Sequence, residues 1–259
     1  MLDQRLLESK VNKIDGNIKT FIYISTDSTN TRAKKLANNG YAGDAVFIAN
    51  EQTRGRGRIG RSFISEDSKG LYLSILLGRK KSQAAGVFVT TYMAVIASRV
   101  VERLTALSPS IKWVNDIFVN GKKLSGILTE GKTDPSTGKF EYTVCGIGIN
   151  VLSQDFDDEV RSIATSIEAE CGKKVDISLL ASEIIEEFFK NLHLIGSKEI
   201  SEEYKNRSFI IGKTVDVIKA SETYPATVVD ITDDCELLIE TADGRREILF
   251  TGEVSIKTK

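Results

Sequence analysis

Short apolar runs alternate with polar, glycine-marked breaks along most of the chain, and the spacing of the apolar positions changes from one stretch to the next. FIYISTDSTNTRAKKLANNG reads as a strand, a polar turn and a helix. Asp27, Ser28 and Thr29 each offer an N-cap oxygen, and Gly40 offers a stop. AVFIANE (Ala45–Glu51) is a strand leading into a Gly/Arg loop, and LYLSILLG (Leu71–Gly78) is another apolar strand. Ser82–Leu104 is mostly apolar with little charge before Arg99, which predicts a helix buried on several sides. IKWV and DIFV flank a polar pair. Asn120-Gly121 then predicts a type I′ hairpin whose second strand is KKLSGILTEG. FEYTVCGIGIN (Phe140–Asn150) predicts a strand ending in a Gly-rich turn. Val151–Cys171 is acidic and irregular before turning helical. Ser178–Ile195 is an amphipathic helix capped by Asp176 or Ser178, and Glu199–Arg207 is a short polar helix.

After about Gly212 the texture changes. TVDVIKA, YPATVVDIT, CELLIETADG, RREILF and EVSIK are short strands at close, regular spacing, with Asp233-Asp234 and Asp243-Gly244 as turns. This pattern predicts a small antiparallel barrel of SH3-like size. A boundary near Arg207–Gly212 divides the chain into 1–210 and 211–259.

Composition narrows the function classes. The 259 residues are 41% hydrophobic, with 35 Lys+Arg against 36 Asp+Glu and a net charge of −1. That is a globular chain with a sizeable core and no global field to attract DNA or an anionic membrane. The N-terminal MLDQRLLESKVNKIDG lacks an apolar signal core, and no apolar stretch approaches the roughly 20 residues that span a bilayer. Cys145, Cys171 and Cys235 are an odd number with no CxxC, so neither a disulfide framework nor a zinc knot is expected, and the expected compartment is the cytoplasm. His193 is the single histidine, in a stretch read as helical, where packing is the expected role. Chemistry without a histidine relay must rest on charge stabilisation and positioning.

Three segments offer such chemistry. Arg54 and GRGRIGR (Gly55–Arg61) place Arg54, Arg56, Arg58 and Arg61 among Gly55, Gly57 and Gly60. Glycine lets a backbone approach a ligand closely, and arginine forks match carboxylate and phosphate oxygens. The loop is therefore an anion cradle, or else a solvated basic loop or nucleic-acid patch. Lys123 follows the tight turn, three residues before Gly126, on a rigid hairpin strand opposite Asn115 and Asp116; an ordinary hairpin with a solvated Lys122–Lys123 pair is the alternative. Asp27-Ser28-Thr29-Asn30 is by itself a helix cap.

Taken in order, Ser-Thr-Asn, Gln52 before GRGRIGR, KW-ND with KKLSGIL, and GIGIN (Gly146–Asn150) make the chain resemble the biotin protein ligases from roughly Phe21 to the C-terminus. The resemblance implies an α+β fold: a mixed sheet flanked by helices, class II synthetase-like, with a small C-terminal SH3-like β-barrel. It implies ATP and biotin as substrates with Mg²⁺. Biotin is activated as biotinyl-5′-AMP and then passed to a lysine of a biotin carboxyl carrier protein or domain. Ser28, Thr29, Gln52 and the Arg56 main chain would bond the ureido ring, with Asn30 supporting that turn and Gly55 and Gly126 lining it. Gly57 and Arg58 would place N–H groups on the carboxylate and α-phosphate, and Lys123 would bridge the two as the foremost catalytic residue. Arg58 and Arg61 would meet phosphates beside the Phe63 ring. Asn115, Asp116 and Asn150 would lie on the nucleotide side, Asp116 being a candidate Mg²⁺ contact and a candidate base for the carrier lysine. Val151 to about Ile163 aligns loosely with a loop that closes over the adenylate.

The chain departs from the family pattern at Val114, where the family usually has Pro, and at Phe63, where many members have Trp. Only roughly 20 residues precede the matching region, too few for a helix-turn-helix module, so no operator binding is expected. Family members often pair through sheet edges of the catalytic domain, which puts a homodimer among the expectations. Two other readings compete. One is a nucleic-acid binder using the Arg loop and the small tail domain. The other is a lipoate–protein ligase, which shares the reactive lysine but lacks GRGRxGR.

Overall fold

The computed structural model describes residues 2–58, 60, 63, 65, 68–79, 81–82, 86–153, 158–219, 222–250 and 253–256. The larger sheet has seven strands in the order β1-β2-β3-β7-β6-β5-β4. These are β1 (Lys19–Thr26), β2 (Ala45–Gln52), β3 (Gly70–Leu77), β4 (Ser110–Lys112), β5 (Asp116–Val119), β6 (Lys122–Thr133) and β7 (Phe140–Asn150). Only β1 and β2 run parallel, because the helix α2 (Thr29–Asn38) carries the chain across between them; the other neighbours are antiparallel.

Side chains of a strand alternate between its faces, and that period sorts the two helical layers. Val46, Ile48, Leu73, Ile75 and Leu77 point into the main core. There they meet α1 (Gln4–Ile14), α3 (Gly86–Thr105) and α6 (Ile177–Lys190). Ala45, Phe47, Leu76 and Val144 point the other way and pack against Ala33 of α2. All of β3 is buried, as a central strand covered on both faces should be. α3 is buried without a break from Val89 to Ser98; Arg99 then emerges to pair with Glu203 of α7 (Lys198–Arg207). α2 packs on β2, β3 and part of β7, and beyond its first turn a cavity lies over β7, β6 and β5.

Several local details differ from the sequence reading. α1 has no counterpart in it; Asp3 caps this helix, and its Leu7 and Val11 are fully buried against the core. The Ser178–Ile195 helix stops at Lys190, and a 3-10 turn at Leu192–Leu194 leaves His193 exposed instead of packed. Gly146 and Gly148 lie inside β7, paired on both sides, and form no turn. Two short helices, α4 (Asp158–Ile163) and α5 (Ile167–Cys171), follow β7, and residues 154–157 between them and β7 lie outside the described residues. The hairpin reading holds: Asn120 and Gly121 both take positive φ (50° and 80°), as a type I′ turn requires.

The C-terminal strands β8 (Thr214–Ile218), β9 (Thr223–Ile231), β10 (Leu237–Thr241), β11 (Arg246–Leu249) and β12 (Glu253–Ile256) form an antiparallel sheet in the order β11-β10-β9-β8-β12. Its apolar face joins the main core through Val215, Val228, Leu237 and Ile239. Trp113 Nε1 donates to the Cys235 carbonyl at 2.9 Å in a buried contact, and Lys205 of α7 pairs with Asp230. No helix among the described residues is long and apolar enough to cross a membrane.

Candidate active site

Over β7, β6 and β5 lies a cavity of about 150 Å³. Ser28, Thr29, Asn30, Gln52, Arg56, Gly57, Arg58, Phe63, Asn115, Asp116, Lys123 and Gly126 all line it, together with Lys112, Trp113 and Gly146. Most of the residues singled out in the sequence therefore converge on one place, although they come from four separate parts of the chain.

One end is a polar floor built by the start of α2. Ser28 is the N-cap and accepts from the Thr31 N–H at 3.5 Å, which leaves its own proton to donate. Gln52, at the end of β2, accepts from the Thr29 N–H (2.8 Å) and hydroxyl (3.1 Å), and donates to Ser65 Oγ (3.0 Å). Asn30 donates to the Leu128 carbonyl (3.1 Å) and to Glu130 (3.0 Å). Ser74, fully buried on β3, lies 2.6 Å from Asn30 Oδ1 and 2.7 Å from Thr29 Oγ1, so its single proton serves one of them at a time. Ser28, Thr29 and Asn30 are themselves only 3–4% exposed. A ligand entering here meets donors and acceptors already fixed by other bonds.

Glycines on β7 make the approach of this floor to the sheet feasible. A Cβ on Gly146 would stand 2.0 Å from Asn30 Oδ1, and one on Gly148 would stand 2.5 Å from the Phe63 ring. Gly55 is equally constrained, since a Cβ there would meet the Phe63 carbonyl at 2.3 Å. Phe63 packs edge-on to Tyr72 (centroids 6.4 Å apart) and closes that side of the cavity.

The other end is charged. Lys123 Nζ reaches Asp116 Oδ1 at 2.7 Å, and the Asn115 amide donates to the same oxygen at 3.1 Å. Arg58 donates to Asn115 Oδ1 at 3.0 Å, which ties the Gly/Arg loop to the hairpin. Asn115 also donates to the Ile127 carbonyl, and the Ile127 N–H returns to the Asn115 carbonyl. The turn just before these residues contains a cis peptide between Trp113 and Val114. It is held by Tyr204, whose fully buried hydroxyl donates to the Val114 carbonyl at 3.0 Å, and by the Trp113 indole. Burial pushes the Tyr204 phenol well above its ordinary value, so it stays a neutral donor. The lining carries the cations Arg58, Lys112 and Lys123 against the single carboxylate of Asp116, while the guanidinium of Arg56 is paired with Glu130. A cavity with that excess suits a polyanion.

Two expected residues, Gly55 and Asn150, stand elsewhere: Gly55 is buried against the Phe63 carbonyl and Ser65 and does not line the cavity. Asn150 is buried at the end of β7, where its amide donates to the Thr165 carbonyl, and it does not line the cavity. Arg61 lies outside the described residues. Asp116 does not fit a resident Mg²⁺. Its Oδ1 is engaged by a lysine, and the described residues contain no group of three or more candidate ligands. A magnesium ion arriving with a nucleotide is held mainly by phosphate and water, as that ion prefers.

Sequence reasoning missed Glu130 and Ser74. Ser74 is the lone polar residue in LYLSILLG, a visible signal. Glu130 shares the face of Gly126 and Leu128 by the period of two, and its carboxylate receives Lys34 (2.6 Å), Asn30 and Arg56 (3.0 Å). Burial acts to raise the Glu130 pKa, but the hydrogen bonds from Lys34 and Asn30 and the charges of Lys34 and Arg56 outweigh it, so the group sits below its ordinary value. The C-terminal sheet contributes Val254 to the lining. A second cavity of about 370 Å³ adjoins the first along Arg56–Arg58, with the exposed Phe250 at its edge.

Known proteins match this architecture. A bifunctional ligase/repressor BirA of Bacillus subtilis is 31% identical over 85% of this chain and 69% of its own length. A biotin–[acetyl-CoA-carboxylase] ligase of Paracoccus denitrificans is 29% identical over 88% of this chain and 97% of its own. The solved structure of biotin protein ligase from Aquifex aeolicus in complex with biotin and ATP superposes with a TM-score of 0.78 at 25% identity, covering 93% of this chain and 99% of that one. Residues 210–257 match the biotin protein ligase C terminal domain. Residues 22–150, which hold the polar floor, the Gly/Arg loop and the Lys123 hairpin, match the biotin/lipoate A/B protein ligase family, and the chain belongs to that family.

Proposed function

We infer that this protein is an ATP-dependent biotin–protein ligase, which forms biotinyl-5′-AMP and transfers the biotinyl group to a lysine of a carboxylase's biotin carboxyl carrier domain. The observation that carries the reading is one cavity with a prearranged polar floor at one end and Lys123, Arg58 and Asn115 at the other. A ureido ring pairs with the floor: Ser28 has a proton to donate, and Thr29 and Gln52 present oriented oxygens. A molecule without matching polar groups leaves those buried groups unpaired, which disfavours it.

In the first step the biotin carboxylate attacks the α-phosphorus of ATP, a P–O bond forms to the carboxyl oxygen, and pyrophosphate leaves. The nucleophile is already an anion at neutral pH, so no general base is needed. The obstacle is bringing two anions together, and fixed cations and N–H donors lower it. Lys123 and Arg58 are the residues assigned to that work, with Gly57 supplying main-chain N–H at the same point. In the second step the carrier lysine amine attacks the acyl carbon of the mixed anhydride, an amide forms and AMP departs. Asp116 is the carboxylate best placed in this cavity to take the proton of that amine. On this reading 1–210 holds the chemistry and 211–259 walls one side of it. A homodimer and a cytoplasmic location belong to the same proposal.

The test is ATP–pyrophosphate exchange with biotin or lipoate as the acid, followed by mass spectrometry of a carrier domain incubated with the protein. Exchange with biotin and a mass gain on the carrier support the reading. Exchange with lipoate alone would transfer the assignment to the other branch of the family, and exchange with neither would defeat it.

A further inference from the structure

We propose that Glu130 is a positioning residue for biotin: it fixes the Arg56 segment of the Gly/Arg loop against the polar floor. The inference rests on the biotin-ligase reading and deepens it. Arg56 has two functions that diverge in space. Arg56 lines the cavity beside Gly57, and on the biotin-ligase reading its main chain meets the ligand, while its guanidinium reaches out to Glu130, with Nη1 at 3.0 Å from Oε1 and 3.2 Å from Oε2. Two glycines flank it, so the loop has little intrinsic stiffness there and must be held by its contacts. Its two ends are secured: the Phe63 N–H donates to the Gly55 carbonyl at 3.0 Å, and Arg58 donates to Asn115. The middle is held by Arg56 on Glu130.

Glu130 is built to be a fixed point. Its side chain is 19% exposed, compared with 45% for Arg56. Besides Arg56 it holds Lys34 of α2 at 2.6 Å and the Asn30 amide at 3.0 Å. One carboxylate on β6 thus joins the loop, the helix that supplies the floor, and the strand that leads back to Lys123. Two flanking cations and an amide donor keep it ionised despite its burial. Its partners Arg56 and Asn30 line the cavity, and Glu130 touches no part of the space a ligand would fill.

Loosening Arg56 weakens contacts made equally before and during the reaction, and that signature is a change in KM. In biotin-dependent pyrophosphate exchange, Glu130→Gln is expected to raise the KM for biotin about tenfold, with kcat within about twofold, since one charged contact is lost from a half-exposed arginine. Arg56→Met keeps the main chain and removes only the loop's half of the pair. It should give a similar rise, and the double variant should be no worse than either alone. Lys34→Met leaves the Arg56–Glu130 pair intact and should change KM much less. A merely structural role for Glu130 would lower the melting temperature and the active fraction without moving KM. Should Glu130→Gln fail to fold, Arg56→Met carries the same expectation by itself. A biotin KM within twofold of the parent in Arg56→Met, additive effects in the double variant, or an equal rise in Lys34→Met would overturn the proposal while leaving the ligase reading in place. If the unmodified protein shows no exchange with biotin, the ligase reading falls and this inference with it.

Discussion

Gly146→Ala is the sharpest perturbation available in the fold. The added methyl would stand 2.0 Å from Asn30 Oδ1 and 2.8 Å from its Cγ, inside any allowed contact. Neither side yields easily. Gly146 is paired to Ser74 and Leu128 in the centre of the sheet, and Asn30 is 4% exposed. The asparagine must therefore swing away and lose its bonds to the Leu128 carbonyl, Glu130 and Ser74. Each lost bond costs about 1 kcal/mol, and more where a buried partner is stranded, so the total is roughly 3–5 kcal/mol. For a chain of this size that corresponds to a melting temperature lower by roughly 10–15 °C. Gly126→Ala is the matched control: its methyl would make only ordinary contacts at 3.5–3.6 Å with Lys123 and Asp116. It should keep the parental stability while taking up cavity space beside the Lys123–Asp116 pair and slowing adenylation. Urea unfolding and thermal melting of the three proteins, with calorimetric titration of biotin, decide the matter. A Gly146→Ala protein within about 1 kcal/mol of the parent would refute the argument that Asn30 is held rigidly over the sheet, since no rigid asparagine tolerates that methyl.

Other outcomes follow from single contacts. Lys123→Ala should slow biotinyl-adenylate formation by about 10²–10³-fold, the usual effect of removing one fixed charge from a closed site, with a much smaller change in melting temperature. Adenylation at the parental rate in a quench-flow assay would remove Lys123 from the mechanism. Trp113→Phe deletes the buried bond to the Cys235 carbonyl and should cost about 1–3 kcal/mol in urea unfolding, and an unchanged midpoint would show that contact to be idle. Glu130 has a folded pKa below its unfolded one, so its contribution to stability is complete above the ordinary glutamate range and drains away as pH falls through the folded value. Unfolding midpoints measured from about pH 6 to about pH 3 should therefore fall less steeply in Glu130→Gln than in the parent, and equal slopes would contradict the lowered pKa.

The sequence carried the elements whose signals are local. Ser28 caps α2 because its hydroxyl reaches the Thr31 N–H, and Asn120-Gly121 turns the hairpin because both residues tolerate positive φ. The ordered motifs likewise brought Gln52, Arg58, Asn115 and Lys123 to one cavity. What stayed hidden depends on partners distant in the chain. α1 has a polar sequence whose two buried residues, Leu7 and Val11, make sense only against α6 and the core. Gly146 and Gly148 look like turn formers until Asn30 and Phe63 are seen resting on them. Glu130 reads as an ordinary charge near a strand end, because Arg56 lies 74 residues away. His193 reads as packing inside a helix, but that helix ends three residues earlier and leaves it exposed.

The loop holding Asn115 and Asp116 is clasped from two directions, by the Tyr204 phenol and by the Trp113 indole on Cys235. Damage confined to the turn between β9 and β10 that carries Cys235 would therefore surface as a displacement of Asn115 and Asp116 in the cavity. A graft that exchanges this tail for one from a distant relative would need to bring its own carbonyl to the indole.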